Sequence, residues 1–512
     1  MPIIRTRVAT LVLPSLLTLL AGCAAAPPVS APHTTVSDMA WLNRVTFGIS
    51  AQSVAELQRA GREAYLDQQL AARTDALPES IAAQVDALEV SHADPVTLLR
   101  EVATENQRIN ALPDGTEREQ ARKTLNERGN RLAYEAQRRE ILRALYSPAQ
   151  LREQMVAFWL NHFSVFQYKA NVRWLVGDYA EHAIRPHALG NFRDLVLATL
   201  EHPAMLQYLD NAQNAVNHLN ENYARELMEL HTLGVQGGYT QQDVQALARI
   251  LTGTGVQAGA ASPHLKPEWQ SLYRRDGAFE FNPARHDFSD KQFLGATIRG
   301  SGFHEIELAV DRLTGSEACA HFISQQLATA FVADTPPDAL VQRLTRNFLD
   351  TRGDIAAVMR VLLTSAEFNA ALGQKFKDPM HYVYSAVRLA YDTRPIANVH
   401  PVLNWLNGLG EAPFNRQTPD GYSLTESGWA SSGQMSRRFD IARAIGSGNA
   451  GLFEPEDGKP GAAAGFPRLA SALYYGQIEP TLSASTRAVL EAATSQQEWN
   501  LLLLASPEMS TR

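Results

Sequence analysis

Apolar residues recur every three or four positions along most of the chain, a spacing that predicts amphipathic helices. Residues 51–70 follow it with Val54, Leu57 and Leu66. Residues 117–145 are densely charged with about one apolar residue per turn, as in a solvated helix with a narrow buried seam. Only residues 278–300 show short alternating runs typical of strands. The pattern predicts a mainly α fold, a large multi-helix domain with one short β-hairpin insertion.

Glycine and capping residues mark where several of these helices begin and end. A helix that begins near Asn220 should end at Gly234, because a glycine just after the last apolar position favours the left-handed C-cap conformation. Thr240, with Asp243 three residues later, predicts the start of the next helix. No internal repeat is present, so we expect one helical domain over residues 37–505, with a division into two lobes near the hairpin as the alternative.

The first residues have the pattern of an export signal. Arg5 and Arg7 precede an apolar stretch over residues 8–20 that is too short to span a bilayer comfortably. The sequence Leu-Ala-Gly-Cys that ends at Cys23 resembles a bacterial lipobox, in which the cysteine is lipidated and becomes the new N-terminus. An ordinary signal peptide with an incidental cysteine is the alternative interpretation. The prediction is therefore a lipoprotein signal peptide over residues 1–22.

A lipidated Cys23 would attach the protein to a membrane without a spanning helix. Position 24 is Ala rather than Asp, which in Gram-negative lipoproteins indicates outer-membrane sorting. Residues 23–36 are small, Pro-rich and almost uncharged, as in a flexible tether. We expect an exported protein that is lipid-anchored and faces the periplasm.

Composition and charge exclude several classes of protein. The chain of 512 residues is 45% hydrophobic and 20% charged, which is typical of a globular protein. A net charge of −8 argues against a nucleic-acid partner. Two cysteines exclude a disulfide-stapled scaffold and a multi-cysteine metal site. Cys319 lies in a helical apolar pattern and is interpreted as a buried, inert thiol. A protein or polymer partner cannot be named from composition.

Five blocks of the sequence are similar to motifs of one large bacterial family, known only as domain of unknown function 1800. The blocks are 41–48 (WLNRVTFG), 158–163 (FWLNHF), 220–235 (NENYARELMELHTLGV), the hairpin region with Phe281, His286, Asp287, Lys291 and Gly295, and 363–368 (LTSAEF). The loop with Pro419 and the later Gly428-Trp429 fits the family pattern only in part. The resemblance implies an exported, helical protein. It implies no reaction, because the family has no established activity.

The longest block offers two carboxylates for chemistry. In a helix, Glu226 and Glu229 lie one turn apart on one face, where they could hold a divalent cation or share a proton. The alternative is a solvated surface on which Arg225 pairs with Glu221 and Glu229. Five steps of about 100° place His231 about 200° from Glu226 on an ideal α-helix. His231 could then not bind the same metal ion as Glu226, and it would instead orient the residues that do.

Histidines in two other blocks complete the candidate site. His162 lies on an apolar helix face and is either a core residue or a ligand, whereas His286 and Asp287 lie in a polar loop. Glu226, His231, His286 and Asp287 are the candidate catalytic residues. The candidate metal ligands are His162, Glu226, Glu229 and His286, a set suited to zinc, manganese or iron. If this is one site, the side chains of Glu226 and His286 should lie within about 8 Å.

Two functional hypotheses remain open from the sequence. One is a metal-assisted or acid/base enzyme of hydrolase type that uses the residues above. The other is a non-catalytic binding or auxiliary lipoprotein at the outer membrane, supported by the lack of a nucleophile elbow, a P-loop or a dinucleotide-binding motif. An enzyme requires its charged residues to line one pocket, whereas a binding protein would scatter them as ion pairs and caps.

Overall fold

The computed structural model describes residues 35–72, 77–259, 263–456 and 465–512. It is 63% helical and 5% strand, which confirms the predicted mainly α fold. The predicted signal peptide, with Cys23 and most of the tether, lies outside the described residues. The α-helices are α1 Val36–Val45, α2 Ala51–Ala60, α3 Arg62–Ala71, α4 Glu79–Asp86, α5 Pro95–Ala111, α6 Thr116–Tyr146, α7 Gln150–His162, α8 Val176–Asp178, α9 Phe192–Glu201, α10 Pro203–Tyr208, α11 Asn222–Glu226, α12 Gln241–Ile250, α13 Pro267–Gln270, α14 Phe303–Thr314, α15 Glu317–Phe331, α16 Asp338–Asp350, α17 Ile355–Thr364, α18 Ala366–Ala370, α19 Pro379–Tyr391, α20 His400–Leu409, α21 Ser432–Ser447, α22 Ala484–Glu491 and α23 Gln496–Leu504.

The β structure consists of two small antiparallel sheets rather than a single hairpin. Strands β1 Thr254–Val256, β2 Arg274–Asp276 and β3 Phe279–Phe281 form the first sheet in the order β1-β3-β2. Strands β4 Lys291–Phe293 and β5 Ala296–Ile298 form the second, the hairpin within the predicted region. Each strand has only three residues, too few for an alternating pattern to reveal β1 and β2 in the sequence.

The buried apolar side chains form two main clusters. The first draws on helices from α1 to α18 and includes Phe281 and Phe293 of the β region, with Cys319 fully buried as expected. The second draws mainly on residues from α19 to α23, together with part of α6. The hairpin packs into the same core as the N-terminal helices, so the buried clusters do not separate at the hairpin; the domain boundaries stay a prediction.

The helix formed by the third family block, residues 220–235, is not α-helical throughout. After α11, residues Leu227–Thr232 form a π-helix, in which the Leu233 amide donates to the Met228 carbonyl, five residues back, at 2.8 Å. The angle of about 200° between Glu226 and His231 holds for an ideal α-helix, so it does not apply to this wider π-helix. Residues Tyr179–Ile184 form a second π-helix. Such segments are rare and frequently lie at functional sites.

Gly234 ends this helix in the left-handed conformation, with φ of +78°, as the sequence predicted. A Cβ at this position would lie 2.7 Å from Cδ2 of Phe322. Gly238 has nearly the same φ, +76°, but a Cβ there would meet no atom within 4 Å.

These two glycines allow backbone strain to be separated from steric clash. We predict that Gly234→Ala lowers the free energy of unfolding by about 2 kcal/mol, of which about 1 kcal/mol is the conformational cost shared with Gly238→Ala. Urea unfolding of both variants measures the difference. Equal losses in the two variants would show that contact with Phe322 has no energetic consequence.

Candidate functional site

His162 and His231, two of the predicted site residues, are joined by a hydrogen bond. Nε2 of His162 donates a hydrogen bond to the backbone carbonyl of His231 at 3.0 Å. Burial lowers the pKa of His162 to about 4 and lowers the pKa of His231 well below its usual value. His231 is fully buried, and neither ring nitrogen has a hydrogen-bond partner in the described part of the chain. Both imidazoles are therefore uncharged at neutral pH.

His286 belongs to a buried ion cluster. Its Nε2 lies 2.7 Å from Oε1 of Glu305, and its Nδ1 lies 2.8 Å from the backbone carbonyl of Thr252. Nζ of Lys291 bonds the other carboxylate oxygen of Glu305 at 2.5 Å. All three charged or polar side chains are fully buried. The cluster ties the loop before β4, through the carboxylate, to the start of α14.

The remaining predicted residues lie in other surroundings. Asp287 accepts from Nε of Arg249 at 2.7 Å and from the Ser289 amide at 2.9 Å, contacts that outweigh burial and lower its pKa. Glu226 is half-buried, and burial together with the charge of Glu229 raises its pKa.

The structure thus places the predicted residues in separate clusters. No hydrogen bond or ion pair joins Glu226 to His286 among the described residues, and none of those residues form a group of three His, Cys, Asp or Glu side chains able to hold a metal. The catalytic and metal-binding roles of His162, Glu226, Glu229, His231, His286 and Asp287 stay predictions. Their contacts do not support one common site, because His286 and Asp287 are bonded to their own local partners, whereas the buried His231 ring has no hydrogen-bond partner in the described part of the chain.

A structural role for the cluster around Glu305 is directly testable. We predict that Lys291→Met lowers the free energy of unfolding by about 3 kcal/mol or more, because it leaves a buried carboxylate without its cation. Adding Glu305→Gln should recover part of this loss by removing the charge. Chemical denaturation of the single and double variants measures the coupling, and strictly additive losses would contradict it.

A cavity of about 100 Å³ lies between the two hydrophobic clusters. Phe158 and Phe331 belong to the first cluster, and Phe47 and Tyr384 to the second. The charged residues of its wall, together with Gln154 and His381, come from distant parts of the chain: Glu140, Glu153, Gln154, Asp378, His381, Glu411, Arg416 and Arg512. Cavities between packed units, apolar with a few converging polar groups, are where ligand sites are commonly found.

Asp378 and His381 occupy the first turn of α19 and face this cavity. The Asp378 carboxylate caps the helix by accepting from the His381 amide at 2.8 Å, and it also accepts from Nδ1 of His381 at 2.7 Å. Nη1 of Arg512 donates to Nε2 of His381 at 2.6 Å. The imidazole is therefore the neutral tautomer with its proton on Nδ1, consistent with burial and the charge of Arg512 lowering its pKa to about 4.

Glu411 is the second carboxyl at this helix end, and it is buried. Its Oε2 accepts from the Met380 amide at 2.9 Å. Burial and the nearby charge of Asp378 raise the pKa of Glu411 well above its usual value. For Asp378, burial is outweighed by His381 and Arg512, and its pKa is lowered. The two carboxyls therefore differ in proton affinity, and Glu411 keeps its proton to a higher pH than Asp378 does.

The segment that carries Glu411 is held over the cavity by a residue of the second family block. Nδ2 of Asn161 donates to the Tyr422 carbonyl at 3.0 Å, and its Oδ1 accepts from the Tyr422 amide at 2.5 Å. The Tyr422 hydroxyl in turn donates to the Ala412 carbonyl at 2.8 Å. Asn161 therefore positions the loop that the sequence identified as an imperfect match to the family pattern.

Sequence reasoning missed this site for a clear reason. The only local signal was Asp378 followed by Pro379, an N-cap and first-turn pair that predicts a helix start. Glu411 and Arg512 follow in segments without a recognisable motif. Their approach to α19 depends on how distant helices pack.

Fold and site together define a mainly helical protein with a cavity lined by charged residues between two apolar cores. The family model described as a protein of unknown function, DUF1800, matches residues 40–511, and the chain belongs to that family. Comparison with curated proteins and with solved structures finds no significant match. Among the described residues, no helix is both long and apolar enough to cross a bilayer.

Proposed function

We propose that this protein is an acid/base enzyme of hydrolase type whose site is the cavity at the start of α19. The observation that carries the proposal is the pair of carboxyls at the cavity, the partly exposed Asp378 and the buried Glu411, whose pKa values are shifted in opposite directions. Two titratable groups whose surroundings separate their pKa values are a recurrent feature of acid/base sites. Glu411 is buried in the cavity wall, where charges interact more strongly than in bulk water.

In the proposed reaction Glu411 transfers the protons and Asp378 acts as a fixed negative charge, so no other titratable group is needed. Protonated Glu411 donates its proton to the leaving-group atom as the scissile bond breaks. The resulting Glu411 carboxylate then accepts a proton from the attacking water, whose oxygen forms the new bond. Asp378 stays ionised throughout, because His381 and Arg512 stabilise its charge. Its charge keeps Glu411 protonated before each cycle.

A non-catalytic binding or auxiliary protein is the second candidate. The observation that favours it is that both carboxyls also accept backbone hydrogen bonds at the first turn of α19. Caps of this kind stabilise a helix without any chemistry. In that case the cavity would bind a partner or polymer segment and leave it unchanged.

The catalytic proposal is tested by hydrolysis of a panel of chromogenic esters, amides, glycosides and phosphoesters. We expect Glu411→Gln to lower kcat about 100-fold or more, because glutamine cannot transfer a proton. The activity of the wild type should fall as pH rises through the elevated pKa of Glu411. Glu226→Gln is the matched comparison, since Glu226 was the acid predicted from the sequence. Loss of activity in Glu226→Gln with full activity in Glu411→Gln would place the site in the third block instead.

For location, the proposal is an exported lipoprotein anchored through Cys23 at the periplasmic face of the outer membrane. Its support is the lipobox-like sequence that ends at Cys23 and the small, Pro-rich residues that follow. An acyl anchor would leave the helical domain free to meet a substrate or partner at the membrane surface.

The anchor has a direct test in cells. Cys23→Ser should release the protein into the soluble periplasmic fraction, because acyl chains on Cys23 would be its membrane attachment. Fractionation followed by a salt wash measures this, with Cys319→Ser as the matched control that stays in the membrane fraction. A Cys23→Ser protein that is exported and still pellets with washed membranes would contradict the lipoprotein proposal.

A further inference from the structure

The guanidinium of Arg512 is buried in the cavity wall with an incomplete set of partners. Three of its bonds are formed, from Nη1 to His381 and to Oε1 of Gln154 and from Nη2 to the Ala330 carbonyl. A guanidinium has five N–H donors, so two remain. Its Nε is buried without a hydrogen-bond partner in the described part of the chain. Nor does any carboxylate there lie within ion-pair distance of Arg512.

Other buried cations surround this guanidinium. The pKa of Arg44 is lowered by burial and by the charge of Arg512. Burial, Arg512 and Arg438 lower the pKa of Lys377 to about 7. Lys375 also has its pKa lowered by burial, although it forms an ion pair with Asp334.

Few negative charges balance this group of cations. The lowered pKa of Asp378 favours its charged form, whereas the raised pKa of Glu411 favours the neutral form. Glu140 and Glu153, elsewhere in the cavity wall, are both paired with Arg185, at 2.5 Å and 2.8 Å. The interior beside Arg512 therefore carries an excess of positive charge, and buried charge without a counterion is costly.

We infer that the cavity binds the anionic group of its ligand, a carboxylate or a phosphate, on the free N–H groups of Arg512. The planar guanidinium matches both anions with paired hydrogen bonds. Phe331 and Tyr384 line the same cavity and fit an apolar or aromatic body attached to the acid group. This inference rests on the proposed function, for which it names the substrate class: an acid that is held by Arg512 and cleaved beside Glu411.

Calorimetric titration with small probes tests the inference. Benzoate and phenylphosphonate carry the two anions, and benzyl alcohol is the neutral probe of similar shape. The wild type should bind at least one anion about tenfold more tightly than benzyl alcohol, and which anion binds better distinguishes the two chemistries. Arg512→Gln should lose this preference. If Arg512→Gln does not fold, Arg512→Lys replaces it, because lysine keeps the positive charge but lacks the paired N–H groups of the guanidinium. Arg512→Lys should bind the anion more weakly than the wild type does, but still more tightly than it binds benzyl alcohol.

A second arginine supplies the control. Arg416 lines the same cavity but is already paired with Asp420 at 2.9 Å, so Arg416→Gln should keep the anion preference. Equal affinities of the wild type for benzyl alcohol and both anions, or anion binding lost in Arg416→Gln but retained in Arg512→Gln, would overturn the inference. Glu411→Gln separates it from the proposed function: that variant should bind the anion and lose turnover. Anion binding with no hydrolysis of any acid in the wild type would overturn only the proposed reaction.

Discussion

The capping of α19 by Asp378 is the interaction on which the site depends. The carboxylate accepts from the His381 amide, which begins the helix, and from the His381 ring, which orients the imidazole toward Arg512. The charge of Asp378 also helps keep the neighbouring Glu411 protonated. Helix start, imidazole tautomer and carboxyl protonation are therefore set by one side chain. Because Glu411 and Arg512 are buried and Asp378 and His381 are only partly exposed, each hydrogen bond has more energetic weight than it would have at the surface.

Arg512 reaches this helix because Arg44 holds its backbone carbonyl together with the carbonyls of two neighbouring segments. The Arg44 guanidinium donates to the backbone carbonyls of Phe331, at 2.5 Å, and Ala371, at 2.7 Å, and to that of Arg512. Arg44 belongs to the first family block, WLNRVTFG. A residue of the opening motif thus positions the last residue of the sequence at the cavity. Asn161 of the second block likewise positions the loop that carries Glu411, through its two hydrogen bonds with the backbone of Tyr422.

The family blocks therefore act in good part as scaffold. The His286 cluster joins the hairpin region to α14 through fully buried charges. His162 and His231 are neutral and lie among aromatic rings of the first core. Histidines and carboxylates in a motif suggest chemistry, but a charged residue that is buried also has to be satisfied, and local partners satisfy most of these.

Hydrophobic periodicity and capping residues were enough to determine the helical class, the helix end at Gly234 and the burial of Cys319, because these depend on neighbours within a few residues. The same local reasoning predicted an α-helix through Thr232, where the structure has a π-helix. Tertiary structure alone decided which charged residues meet. Asp378, Glu411 and Arg512 converge because two apolar cores pack against each other, and no local pattern records which distant segments border the gap between them.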